Sequence, residues 1–119
     1  MIDTPAGRIL FGGDSGYGPM FRDIAERAGP FAVSILPIGA YEPRWFMEPA
    51  HMNPEDAVQA YIDLGATGMF VPMHWGAFRL TDEDPLEPPT RVRRAWQEAR
   101  LDPDRLRVLA IGETLLIRC

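Results

Sequence analysis

The ten residues Ile9–Gly18 read ILFGGDSGYG, an apolar, strand-like triplet that runs directly into a glycine-rich loop carrying one carboxylate, Asp14. An unpaired carboxylate at the end of a buried strand is expensive to ionise. Three roles for Asp14 are open at this point: a metal ligand, a catalytic partner, or a cap for the helix that follows. The small neighbours of Asp14 would let a metal or ligand approach it closely.

Strand and helix patterns alternate on both sides of this stretch. A hairpin turn is expected at Asp3–Gly7, before a strand over Arg8–Phe11. The further elements predicted along the chain are a helix over 19–28, a strand over 32–36, a long loop over 37–53, a helix over 54–64, a strand over 69–73, a helix over 90–100, and strands over 106–111 and 114–117. This order predicts an α/β domain with a mixed sheet over residues 1–119, and ligand chemistry is expected at the carboxyl ends of its strands.

The composition, 46% hydrophobic and 24% charged, is typical of an ordinary soluble globular protein. The net charge of −5 argues against nucleic acid and anionic membrane surfaces as partners. No signal peptide is recognisable, and no apolar run is long enough to span a bilayer. The one cysteine, Cys119, indicates a reducing compartment, for which we expect the cytoplasm.

The titratable residues limit the chemistry further. All 12 basic residues are arginines, which excludes a P-loop lysine and a Schiff-base lysine. The two histidines are His51 and His74, too few for a site of three or four histidines. His74 directly follows the predicted strand over 69–73, so it is expected at the same edge of the sheet as Asp14.

Ordinary structural roles compete with a metal site for each of these residues. The glycine-rich loop around Asp14 is also typical of a tight turn, and a histidine beside Trp75 is often packed and hydrogen-bonded. His51 precedes the helix cap Asn53, where it could simply stabilise the turn. Together, however, an aspartate and a histidine at the ends of neighbouring strands suggest half of a metal site.

Three segments carry a family resemblance in their order and spacing. They are TPAGRILFGGDSGYGPMF, LPIGAYEPRWFMEPAHMNPEDAV, and MHWGAF followed by EPP. Together they resemble the C-terminal half of a metallo-β-lactamase-fold hydrolase, most closely the N-acylphosphatidylethanolamine phospholipase D-like subgroup. The resemblance implies half of an αββα sandwich, a mixed sheet with helices on one face, and two zinc ions in the intact family site.

The resemblance also implies roles for individual residues. Asp14 matches the aspartate that bridges both metals, His74 matches a terminal metal ligand, and His51 matches a loop histidine near the substrate phosphate. The residues that match the pocket wall, and so imply substrate binding, are Tyr41, Glu42, Arg44 and Trp45. The implied reaction is metal-assisted hydrolysis of a phosphodiester in a phospholipid-like substrate.

The H-x-H-x-D-H motif of that family and one further histidine ligand would lie upstream of residue 1. We therefore expect a partial domain whose N-terminal half is absent, which binds zinc weakly or not at all and is inactive without that half or a partner chain. If this chain formed a full site alone, the nearest additional ligands would be Asp82–Asp84. The competing hypothesis is a non-catalytic α/β binding module whose exposed sheet face pairs with another copy. The ligand types leave the metal open among zinc, manganese and iron.

Overall fold

A computed structural model describes residues 1–118, in which a four-stranded mixed sheet carries helices on one face. Cys119, on which the expectation of a reducing compartment rests, lies outside the described residues. The elements are β1 (Ile2–Thr4), β2 (Gly7–Phe11), α1 (Met20–Ala28), β3 (Val33–Pro37), α2 (Arg44–Met47), α3 (Pro54–Asp63), β4 (Met69–Met73), α4 (Glu87–Glu98) and a short 3₁₀ turn (Pro103–Arg105). The predicted α/β class with a mixed sheet is confirmed.

The sheet has the strand order β1-β2-β3-β4. The hairpin pair β1 and β2 is antiparallel, whereas β2, β3 and β4 run parallel to one another. Helix α1 connects β2 to β3, and α3 connects β3 to β4. Both connections are crossovers between parallel strands that advance in the same direction across the sheet, and because such crossovers are right-handed, both helices lie on the same face. In agreement, α3 packs against α1, α4 and β3.

The helix-covered face of the sheet holds the hydrophobic core. Leu10, Ser34 and Phe70 are paired in register across β2, β3 and β4 and are all buried. The ring of Phe70 stacks on Tyr61 of α3 and on Trp96 of α4, with ring centroids 5.6 and 5.7 Å apart. Through this aromatic cluster, α3 and α4 both pack against the sheet.

The opposite face of the sheet, here called the open face, is also apolar. Phe11, Ile35 and Val71 are paired in register on it, and Phe11 is 56% exposed. All of its members except Val33 are at least partly exposed; they are Ile2, Ile9, Phe11, Val33, Ile35, Met69, Val71 and Met73. A row of apolar side chains facing water is the surface expected where a second layer would pack.

The two predicted strands over 106–111 and 114–117 are wrong within the described part of the chain. Leu106 makes a single parallel bridge to Phe70, and the Arg107 N–H donates to the Phe70 carbonyl at 2.9 Å. Pro72 is the next residue of β4 to face that edge and has no N–H to donate. Pairing therefore stops after one bridge, although the apolar composition of the segment favours strands.

Two helix boundaries differ from expectation. Helix α4 begins at Glu87, three residues before the predicted Thr90, because prolines fit the first turn, where backbone N–H groups have no helical partner. The short helix α2 lies inside the predicted loop over 37–53. The predicted start of α3 is confirmed, since the Asn53 side chain accepts the Asp56 N–H at 2.8 Å.

Candidate functional site

The side chains of Asp14 and His74 meet at the carboxyl edge of the sheet. Asp14 follows β2, His74 follows β4, and the Asp14 Oδ1 lies 3.4 Å from the His74 Nε2. Their strands are not neighbours, because β3 lies between them; strands two places apart are separated by about 10 Å. The glycine loop bridges this gap, since Asp14 and His74 are in contact; at its start the Gly12 N–H donates to the Ile35 carbonyl at 2.9 Å and extends the β2–β3 pairing.

The structure removes one of the three roles open for Asp14. Helix α1 begins at Met20 with Pro19 as its N-cap, and within the described residues no side chain caps it, so Asp14 is not a helix cap. The Asp14 side chain is 65% exposed. It is therefore accessible to a cation or a ligand.

His74 is held in an unusual backbone conformation. Its φ of 61° is in the left-handed region, which residues with a Cβ rarely adopt. Gly39, just after β3, lies directly against it: a Cβ on Gly39 would be 2.0 Å from the His74 carbonyl oxygen. Strained backbone of this kind is concentrated at functional sites.

His51 completes the cluster from the loop between β3 and α3. Its imidazole stacks on that of His74, with centroids 5.6 Å apart and an interplanar angle of 15°. The Nδ1 atoms of both rings are buried and have no hydrogen-bond partner within residues 1–118. In this they differ from most buried polar atoms, which are hydrogen-bonded.

Asp14 and His74 do not form a complete metal centre by themselves. Across the part of the chain that the structure describes, no group of three or more histidine, cysteine, aspartate or glutamate side chains could hold a metal ion. Protein zinc sites use three or four protein ligands. The residues Asp82–Asp84 supply no third ligand, and the Glu83 carboxylate instead accepts the N–H groups of Tyr41 and Glu42 at 3.1 and 3.2 Å.

Two residues predicted to wall the pocket have internal partners. Tyr41 is fully buried, and its hydroxyl donates to Glu87 at 2.8 Å while the Arg91 guanidinium lies over its ring. Burial, and then the bond to Glu87, raises the pKa of the Tyr41 phenol. The Glu42 carboxylate accepts the Arg44 N–H at 3.1 Å. We therefore reassign Tyr41 to the core, where no substrate reaches its side chain.

Arg44 and Trp45 lie at the start of α2, and their side chains differ in exposure and in contacts. The Arg44 guanidinium donates to the His51 carbonyl at 2.9 Å and to the Asp56 carboxylate, and it is mostly buried. Trp45 is 82% exposed beside the exposed Phe46. Of the predicted wall residues, Trp45 is therefore the most accessible to a ligand.

Sequence reasoning missed the role of three acidic residues that bind the loops around the candidate site. Asp56 was visible only as a favourable acid in the first turn of α3, Glu83 only as part of the candidate ligand run Asp82–Asp84, and Asp63 gave no local signal. Their partners Arg44, Tyr17 and Tyr41 are 12, 46 and 42 residues away along the chain. Pairings at such separations are created by the fold and have no sequence motif.

None of the helices among the described residues is long and apolar enough to cross a membrane.

Several curated proteins are similar to this chain. An uncharacterized protein of Mycobacterium tuberculosis is 46% identical over 93 residues, which cover 76% of this chain and 24% of that protein. An N-acyl-phosphatidylethanolamine-hydrolyzing phospholipase D of Caenorhabditis elegans is 40% identical over 97 residues, covering 80% and 27%. A metal-dependent hydrolase of Aeropyrum pernix is 32% identical over 114 residues, covering 96% and 41%.

The chain thus spans about a quarter of the length of the mycobacterial and nematode relatives. Residues 1–75 match the family described as a beta-lactamase superfamily domain. That match includes the glycine loop with Asp14, the loop with His51, and β4 with His74. Because it extends over more than half of the 119 residues, the chain belongs to the beta-lactamase superfamily.

Proposed function

We propose that this chain is the C-terminal part of a metal-dependent hydrolase that cleaves a phosphodiester in a phospholipid-like substrate. The observation that carries the proposal is the convergence of Asp14 and His74 at 3.4 Å, with His51 stacked on His74. The names of two relatives, a phospholipase D and a metal-dependent hydrolase, support the class of reaction.

The donor set fits part of a zinc site. A carboxylate and an imidazole are both ordinary zinc ligands, and the Asp14 oxygens and the His74 Nε2 are the atoms that would bind. Asp14 is exposed and free of an ion pair with arginine among the described residues, so it can bind a cation without losing another partner. A bound metal would supply Lewis-acid stabilisation of the charge that develops on the phosphate.

His51 is placed to act beside the metal ligands rather than as one of them. Its ring lies nearly parallel to that of His74, with centroids 5.6 Å apart, so it is a neighbour of the metal-ligating residues. An imidazole N–H can donate a hydrogen bond to a phosphate oxygen, or transfer a proton to the leaving alcohol. Its removal should weaken catalysis, whereas removal of Asp14 should remove the metal.

The remaining ligands would come from a segment outside these 119 residues that carries the H-x-H-x-D-H motif. Two ligands are too few for a tight zinc site. The open face of the sheet supports this arrangement, because it offers an apolar surface on which the second sheet of a sandwich could pack. The segment could belong to the same gene or to a second chain.

The test compares the 119-residue chain alone with the chain supplied with the H-x-H-x-D-H segment, fused or as a separate polypeptide. Bound zinc is counted by elemental mass spectrometry, and hydrolysis is followed with bis(p-nitrophenyl) phosphate and with N-acylphosphatidylethanolamine. We expect two zinc ions and turnover only in the complete assembly. Two tightly bound zinc ions and turnover in the chain alone would overturn the half-site proposal.

Variants then assign the roles in the complete assembly. Asp14→Asn should abolish both zinc binding and activity, whereas His51→Ala should reduce activity and leave zinc bound. Asp23→Asn is the matched control, because it replaces an exposed carboxylate on α1 by an amide; it should change neither the zinc content nor the activity. Equal zinc content in wild type and Asp14→Asn would contradict the assignment of Asp14.

The open face also favours a second candidate, a non-catalytic module that associates with its own copies. An exposed apolar face promotes such association. The two candidates differ in the result with the upstream segment: the hydrolase gains zinc and activity from it, and the self-associating module gains neither.

A further inference from the structure

Two aspartates of α3 contact the two loops that carry the candidate site. Asp56 lies in the first turn of the helix and Asp63 is its last residue. A separation of seven residues is close to two helical turns, so both carboxylates lie on one side of α3. We propose that Asp56 and Asp63 are positioning residues that hold His51 and Asp14 in place for the reaction proposed above, on which this inference rests.

Asp56 acts on His51 through Arg44. The Arg44 guanidinium binds the Asp56 carboxylate through Nη2 and donates through Nη1 to the His51 carbonyl at 2.9 Å. The side chains of Arg44 and Asp56 are 27% and 25% exposed, so water screens this pair less than it would at the surface. The Arg44 guanidinium thus links Asp56 to the backbone carbonyl of His51. This assigns Arg44 a positioning role in place of the predicted contact with substrate.

Asp63 acts on the glycine loop through Tyr17, which lies three residues after Asp14. The Asp63 carboxylate is only 4% exposed and accepts bonds from the Tyr17 hydroxyl, the Gln59 amide at 3.1 Å and the Arg22 guanidinium at 3.3 Å. Burial alone would raise the pKa of the Asp63 carboxyl, but these donors outweigh it and the pKa lies below its ordinary value. The anchor of the loop is therefore a charged carboxylate at neutral pH.

The two loops also touch each other. Gly16, between Asp14 and Tyr17, is buried so closely against the loop between β3 and α3 that a Cβ on it would be 2.6 Å from the Pro49 carbonyl oxygen. Displacement of either loop would therefore disturb the other. One rigid helix that holds both loops would fix the distance between Asp14 and the His51–His74 pair.

The test uses Asp56→Asn and Asp63→Asn, which keep the side-chain size and remove the charge. Glu55→Gln is the matched control, since Glu55 is next to Asp56 and pairs with Arg91 of α4 at 2.7 Å without contacting either loop. In the 119-residue chain, NMR at constant pH follows the ring protons of His51 and His74, whose shifts report their stacking. Chymotrypsin cleavage at Trp45 and Phe46, located by mass spectrometry, reports the opening of the His51 loop.

We expect Asp56→Asn to move the His51 ring signals toward those of an unstacked histidine and to speed cleavage at Trp45 severalfold. In the complete assembly both aspartate variants should lower kcat roughly 10- to 100-fold, as for small misplacements of reacting groups, with KM little changed. Glu55→Gln should leave the ring signals, the cleavage and kcat at wild-type values.

Unchanged ring signals and cleavage in Asp56→Asn would overturn the positioning role of Asp56, whatever the activity of the assembly. A kcat loss in Glu55→Gln equal to that of the two aspartate variants would also overturn it, because a general loss of stability would then explain all three. If the wild-type assembly shows no hydrolysis while the NMR and cleavage results are as expected, the proposed function fails and the loop anchoring stands.

Discussion

The two faces of the sheet are both apolar, yet they stand in different environments. On the helix-covered face, Leu36 and Phe70 are completely buried beneath α3 and α4. On the open face, Phe11 is more than half exposed, and Ile35 and Val71 are partly exposed. The first face holds the hydrophobic core, whereas on the second face the described residues leave several apolar side chains exposed to water.

The difference between the faces can be measured as free energy of unfolding. Burial of apolar area stabilises by about 25 cal/mol per Å², so a substitution should cost much on the covered face and little on the open one. The loops that follow β2, β3 and β4 lie at the carboxyl edge of the sheet, between the two faces, and they carry the candidate site. Substitutions there should have intermediate effects, because they disturb local contacts and leave the core in place.

The largest effect is expected for Phe70→Ala on the covered face. It removes a fully buried ring that stacks on Tyr61 and Trp96, so we expect a loss of about 3–5 kcal/mol in the free energy of unfolding. Urea unfolding followed by circular dichroism measures this loss. A cost below that of Phe11→Ala on the open face would reverse the assignment of the two faces.

Gly39→Ala tests the edge where His74 lies. The added methyl would be placed 2.0 Å from the His74 carbonyl, so backbone must move, at a cost of about 1–3 kcal/mol. We expect lower stability in urea together with displaced NMR signals of the His74 ring. Gly112→Ala is the control, since a Cβ there meets no atom within 4 Å in the described chain and the cost comes from its φ of 86°. It should leave the His74 ring signals in place.

Glu83→Gln tests the contact between the loop after β4 and the loop after β3, where the Glu83 carboxylate accepts the N–H groups of Tyr41 and Glu42. Burial acts to raise the pKa of the Glu83 carboxyl, but hydrogen bonds from Thr81 and from backbone N–H groups, including that of Tyr41, lower it below its ordinary value near 4.5. The folded state therefore favours the ionised form, and this stabilisation is present above the ordinary pKa near 4.5 and lost as the pH falls below it through the lowered pKa of the folded state.

We expect Glu83→Gln to lose about 1–2 kcal/mol at pH 7 and to show a weaker fall in stability than wild type as the pH is lowered from about 5 to about 3. Urea unfolding at several pH values measures both quantities. Glu26→Gln, an exposed change on α1, is the control and should keep the wild-type pH dependence. Identical pH dependence in wild type and Glu83→Gln would show that this carboxylate carries no linked stability.

The smallest effect on stability is expected for Phe11→Lys on the open face, about 0.5 kcal/mol or less, in the range of surface substitutions. Its effect on association should be clear, because a charge interrupts the apolar surface. Light scattering should show wild type above the 13.4 kDa monomer mass and the variant closer to it. Leu116→Lys, also at an exposed apolar residue, is the control. A stable wild-type monomer at high concentration would count against the open face as a docking surface.

Much of the fold was predictable from local patterns. The hairpin at β1 and β2, the strand β4 and the Asn53 cap of α3 each have a local physical cause, in turn chemistry, strand composition and capping respectively. The motifs around Asp14, His51 and His74 also led to the correct superfamily. These signals are readable because each depends on a few consecutive residues.

The sequence by itself therefore determined the α/β class and the superfamily, and it predicted Asp14, His51 and His74 as candidate site residues. Only the tertiary structure decided that Asp14 reaches His74 across β3, that Tyr41 belongs to the core, and that Asp56 and Asp63 anchor the site loops. It also left residues 107–118 without a strand, because Pro72 ends the pairing on that edge. The physical reason is the same in each case: burial, ion pairing and strand pairing depend on which distant residues the fold brings into contact, and no local pattern encodes those partners.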